Sequence, residues 1–167
     1  MKDKIREIIE MQKALDLSII NSNNADFDSI LDSKKIELAL FDELGELNHE
    51  LKSDWCWWKK TQKPKNRDRV LEELIDCLHF ATIISYRSMD DKELNSCIDW
   101  YCHNDGTLTL GYSEKLLFTY YNAILNCKHC MFMVLMLGRN LGYSFDEMYQ
   151  AYINKNKVNY DRQKQGY

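Results

Sequence analysis

Four carboxylates stand in two pairs of equal spacing, Glu43-x-x-Glu46 and Glu73-x-x-Asp76. Residues three apart lie on one side of a helix, so each pair can aim both side chains at one point. Four oxygen donors with no cysteine in reach suit Mg2+ or Mn2+, which keep open positions for water and phosphate oxygens. A cation of this kind polarises a phosphate and lowers the pKa of bound water, while one carboxylate takes the proton. Glu43 and Glu46 both lie on the right stripe for that proton, and the spacing does not choose between them. The surroundings of the second pair argue against solvated decoration. From Leu74 to Ile84 only Asp76, His79 and Thr82 are polar, so that helix belongs inside the protein. Unpartnered carboxylates there would sooner protonate than remain charged, and a shared cation removes the conflict.

The elements that must position these residues are helices. Ile36, Leu40, Leu44, Leu47 and Leu51 form a core stripe, with Ala39, Glu43, Glu46 and Glu50 beside it. Leu71, Leu74, Leu78 and Ala81 repeat the pattern, with Glu73, Asp76, Phe80 and Ile84 on the flank. Apolar periodicity predicts five to six helices: about 4–20, 33–51, a third beginning after Pro64 and ending near 87, a short one within 90–101, a long one over 113–137, and a last one from near Ser144. The last carries a capping-box signature, Ser144 and Glu147. The Asp105-Gly106 pair is the best loop signal. With 6 Gly and 1 Pro, the chain lacks the turn residues that an all-β fold requires. A single all-α domain over 1–167 follows, large enough to bury a core without disulfides.

The 22 basic and 26 acidic residues give a net charge of −4, which provides no positive field for nucleic acid or an anionic membrane. No apolar run is long enough to span a bilayer and the N-terminus begins with charged residues, so a cytoplasmic protein with reduced cysteines is expected.

Three further groups bear on chemistry. Gln12 and Asp16 share a helix face with Ile5, Ile8, Ile9, Leu15 and Ile19, where polar groups need partners in the core, in a dimer contact or on a ligand. Lys155, Asn159 and Arg162 fall at i, i+4, i+7, on the side of Met148 and Tyr152. A docked helix would thus deliver two cations to an anionic substrate. Trp55, Trp57 and Trp58 cannot all face one side of a helix, so at least one lines a surface or cleft, where an indole can cover a flat base.

The acidic pattern resembles the metal motif of the all-α nucleoside triphosphate pyrophosphatases. Trp55-Cys56-Trp57-Trp58-Lys59, Asp76-Cys77-Leu78-His79-Phe80 and the closing Lys155-Asn156-x-x-Asn159-x-x-Arg162-Gln163-x-x-Gly166-Tyr167 narrow the likeness to dimeric dUTPases, in the style of Gram-positive bacteria and their phages. The resemblance implies a homodimer that hydrolyses dUTP, and dUDP, to dUMP with Mg2+, or Mn2+, on Glu43, Glu46, Glu73 and Asp76. It places base recognition near Gln12, where relatives often have an amide in place of the neighbouring Asp16, and marks Trp57 as a wall; Phe80, one turn beyond Asp76, is a second wall by position, and Asp16 is a further candidate contact of the base. It assigns Lys155, Asn159, Arg162 and Tyr167 to the substrate, with His79 either a substrate contact or a structural residue. A related pyrophosphatase acting on dCTP shares the metal chemistry and differs only in its pocket. A di-iron carboxylate bundle wants two Glu-x-x-His elements, and only Asp76-x-x-His79 imitates one. A non-catalytic helical interaction protein would leave the acidic pairs as surface decoration.

Overall fold

A computed structural model describes residues 1–105 and 111–166. Tyr167, and the loop signal from Gly106 onward, lie outside the described residues. Among these residues the regular structure is entirely helical: α1 (Lys2–Asn23), α2 (Phe27–Asp32), α3 (Lys35–Glu50), α4 (Lys52–Trp55), α5 (Arg67–Ser88), α6 (Asp91–Asn104), α7 (Glu114–Asn126), α8 (Cys130–Asn140) and α9 (Phe145–Lys164). Nine helices stand among the described residues where periodicity predicts five to six. Two of the additions, α2 and α4, are only 6 and 4 residues long, too short to show a period. The third arises because the segment expected as one helix over 113–137 is two. The chain is extended at Cys127, and α8 restarts against α5, where Met131 N–H donates to Ser85 Oγ (3.0 Å) and Cys130 Sγ–H to the Ala81 carbonyl (3.3 Å). Contacts with another element thus replace the next intrahelical bonds.

The central element is α5, with Glu73, Leu74, Ile75, Cys77, Leu78, His79 and Ala81 all buried. It starts where Asn66, two residues after Pro64, accepts from the Asp68 and Arg69 amides (2.9 and 3.2 Å). Helices α3, α8, α9 and α1 pack around it. Helix α9 begins with the capping box read from its sequence. The Glu147 amide donates to Ser144 Oγ (3.1 Å), and the Ser144 amide donates to the Glu147 carboxylate (2.7 Å). The turn into α9 passes through Gly142 at φ 89°, a conformation that side chains with a Cβ rarely adopt. Where α8 crosses α5 and α9, Gly138 leaves room for only Met148 and Leu74. None of the described helices is long and apolar enough to cross a membrane.

Candidate active site

Four helices converge on a cavity of about 310 Å³. Helix α1 contributes Gln12 and Asp16, α3 Glu43, α5 Asp76, His79 and Phe80, and α9 Lys155, Asn159 and Arg162. Nine of the residues singled out from the sequence therefore line one space. The amphipathic pattern of each helix explains the convergence: these residues sit at the edges of the apolar stripes that drive α1, α3 and α9 onto α5.

Glu43 and Asp76 line the acidic end of the cavity, and Glu73, which lines the adjoining cleft, brings a third carboxylate beside them, each offering an oxygen and all within 4.8 Å of one another. Glu73 is buried and is held by Arg69 at 2.7 Å. Asp76 accepts from the Lys155 ammonium at 2.6 Å. Glu43 makes no hydrogen bond or ion pair among the described residues. Burial, followed by the charges of Asp76, Glu46 and Glu73, pushes its pKa up to about 7, with Lys155 opposing. Burial likewise raises the Glu73 and Asp76 pKa values, against Arg69 and Lys155 respectively. Three crowded carboxylates with one left unneutralised are what a divalent cation relieves, and their oxygen-only chemistry fits one. Glu46 stands outside this cluster. It is exposed and lines a neighbouring cleft with Asp42, His49, Glu50, Arg69 and Glu73.

The other end of the cavity is a hydrogen-bonded network. Gln12 Oε1 accepts from the Tyr152 hydroxyl (2.6 Å) and is bonded to His79 Nδ1 (2.7 Å), while its Nε2 donates to Asp16 Oδ1 (2.7 Å). Tyr86 donates to Asp16 Oδ2 (2.7 Å). The His79 ring stacks on Tyr152 with centroids 4.2 Å apart, and burial lowers its pKa to about 3, so the imidazole is neutral. Phe80, Leu15, Ile19 and Ile83 supply apolar wall. Sequence reasoning treated Tyr152 as an apolar docking position and gave Tyr86 and Arg69 no role. Arg69 was detectable in principle, four residues before Glu73, whereas the pairing of Tyr86 with Asp16 spans 70 residues and left no local signal.

Trp57 is not brought to this cavity. Its side chain is 88% exposed and meets Trp58 edge-on at 5.9 Å. The tryptophan that packs on the core is Trp55, whose Nε1 donates to the Asn48 carbonyl (2.9 Å).

A helical frame that gathers carboxylates, an amide-lined pocket and two cations in one cleft defines a metal-assisted hydrolase of nucleotides in class. The comparison with protein families agrees: a family model described as dUTPase matches residues 4–167. The chain belongs to that family, the all-α dUTPases, and is a dUTP diphosphatase that uses a divalent metal. No curated protein matches it.

Proposed function

We propose that the α1–α3–α5–α9 cleft hydrolyses dUTP, and also dUDP, to dUMP with Mg2+ held by Glu43, Glu73 and Asp76 and assisted by Glu46. The observation that carries this reading is the single cavity that joins the Gln12 amide to the carboxylate cluster and to Lys155, Asn159 and Arg162. When bound, the metal supplies charge neutralisation on the phosphate chain and a lowered pKa for the attacking water. Arg162 and Lys155 bind phosphate oxygens, Arg162 through its two-pronged guanidinium and Lys155 as a point charge. Lys155 already rests on Asp76 at 2.6 Å, so its ammonium stands beside the carboxylate that would hold the metal and within the cavity that would receive the phosphates. Glu43 is the better placed of the two candidate bases, because it lines the substrate cavity whereas Glu46 faces the adjoining cleft. It takes the proton on the carboxylate oxygen that would not hold the metal, as the water oxygen bonds to the α-phosphorus and the bond to the departing group, pyrophosphate from dUTP or orthophosphate from dUDP, breaks.

Gln12 and Phe80 receive the base, the amide at its edge and the ring against its face. Asp16 and His79 hold Gln12, and the exposed Trp57 is left out of the pocket. Tyr167 closes the motif that ends with the substrate-binding helix and is assigned to substrate on that resemblance alone. The homodimer implied by the same resemblance is supported by exposed Leu38 and Phe41 on α3 and Phe118 and Leu125 on α7. Equilibrium sedimentation near twice 19.9 kDa tests it. A cytoplasmic site of action is proposed on the same footing. The test of function is pyrophosphate release across the deoxynucleoside and ribonucleoside triphosphates with and without Mg2+. A protein that prefers dCTP, or that turns over without a divalent metal, would displace this reading.

A further inference from the structure

Glu72 belongs to neither carboxylate pair, and it is not among the described residues that line the substrate cavity or the adjoining cleft. It opens instead on a separate groove on the outer side of α5 and α9, with Leu71, Ile75, Ala151 and Val158. Its carboxylate nevertheless meets both cations that hold the acidic cluster. Oε2 accepts from Arg69 Nη1 at 2.7 Å, and Oε1 lies 3.5 Å from Lys155 Nζ. Arg69 places its other terminal nitrogen on Glu73 at 2.7 Å, and Lys155 donates to Asp76 at 2.6 Å. One chain of charges, Glu73–Arg69–Glu72–Lys155–Asp76, therefore joins two of the clustered carboxylates through a third that stands outside the site.

Stability does not account for this arrangement. Glu72 and Arg69 are half-exposed, and ion pairs so open to water contribute little to folding. Lys155 differs, with a side chain only 14% exposed, and a nearly buried ammonium needs counter-charge wherever its partners go. When Glu73 and Asp76 turn their charge to a divalent ion, Arg69 and Lys155 keep in Glu72 an anion that the ion does not claim. Arg69 has a more distant second anchor in Glu50, at 3.8 Å. With Glu72 neutral, both cations fall back on Glu73 and Asp76 and oppose the incoming ion.

We infer that Glu72 is a positioning residue: from outside the cleft it holds Arg69 and Lys155, so that Glu73 and Asp76 can yield to a divalent ion while Lys155 stays directed at the phosphates. This rests on reading the carboxylate cluster as a metal site.

The experiment titrates nucleotide-free protein with Mn2+ by calorimetry and measures kcat and KM for dUTP at saturating Mg2+. It compares wild type, Glu72→Gln, Glu72→Asp and Asp68→Asn. Asp68 lines the same groove one turn earlier, and its carboxylate makes no ion pair among the described residues, so its substitution reads the effect of lost charge alone. Glu72→Gln is expected to raise the Mn2+ dissociation constant by about fivefold and to raise KM with kcat nearly unchanged, while the metal-free protein melts within a few degrees of wild type. Asp68→Asn is expected to leave both constants near wild type. Glu72→Asp keeps the charge and the spacing to Arg69 but withdraws from Lys155. It should recover part of the Mn2+ affinity and leave KM raised. An unchanged dissociation constant or KM in Glu72→Gln overturns the inference, as does an equal effect of Asp68→Asn or a Glu72→Asp protein identical to wild type. A wild-type protein that binds no Mn2+ would remove the metal-site reading and the inference with it, whereas Mn2+ binding that Glu72→Gln leaves intact removes the inference alone.

Discussion

Burial acts on Glu43 and His79 in the same sense, disfavouring the charge on each, and the consequences for stability are opposite in pH. Glu43 is pushed up to about 7. Its contribution is therefore complete below its ordinary 4.5 and is lost as pH rises through 7 in metal-free protein. Glu43→Gln is expected to remove that loss, so that in chelator the variant melts above wild type at pH 8 and not at pH 4.5, while turnover falls by about a hundredfold or more. Parallel melting curves over that range would contradict the crowding of carboxylates. His79 is lowered to about 3, so its contribution is complete above 6.5 and is lost as pH falls. Asn is smaller and does not titrate, yet can place an amide N–H near the Nδ1 position. Compared with His79→Asn, wild type should lose about 1.4 kcal/mol more for each pH unit below 6.5, read from denaturant midpoints. Gln12→Ala removes the remaining amide donor and should cut kcat/KM for dUTP by about one to two orders of magnitude with little change in Mg2+ dependence. That Glu43, Glu73, Asp76 and Gln12 come together was legible in the sequence, because the paired carboxylates flank apolar stripes at equal spacing and Gln12 lies on one. Tyr86 was not, since its role depends on which helix lies opposite.

At the scale of elements, the site depends on how closely α9 and α8 settle on α5. Gly138 faces Leu74 and Met148 with no space for a methyl group. Gly138→Ala should cost about 1–3 kcal/mol by overpacking, measured by chemical denaturation, and a neutral result would show that this crossing is looser than described. Helix α9 delivers its charges through a fixed register: Tyr152 is anchored on Gln12, and Lys155 on Asp76 lies one turn further along. Arg162→Ala should raise KM for dUTP roughly tenfold or more, from the loss of a charged hydrogen bond. It should leave binding of the free nucleoside unchanged, which calorimetry can separate. The long helices and the α9 capping box were readable from period and local chemistry. The break at Cys127 was not, because the apolar pattern runs through it and the stop is imposed by Ser85 and Ala81 on α5. Trp57 shows the same limit, since three neighbouring tryptophans offered no local sign that Trp55 alone would pack inward.

For the whole molecule, the net charge of −4 opposes a polyanionic substrate, and the fold answers by bringing Lys155 and Arg162 to the cleft that Glu43 and Asp76 also line. Composition made the helical class legible, because so few glycines and prolines cannot punctuate a sheet protein. The assembly of four helices around one cavity had to come from packing. The direct test of this assembly is pyrophosphate release from dUTP, dCTP and dTTP at equal concentration, with Mg2+ or chelator, for wild type and Glu43→Gln. Release from dUTP well above the other two, abolished by chelator and by the substitution, is expected. Equal release from dCTP, or dUTP turnover that survives both chelator and Glu43→Gln, would contradict a uracil-selective metal site in this cleft.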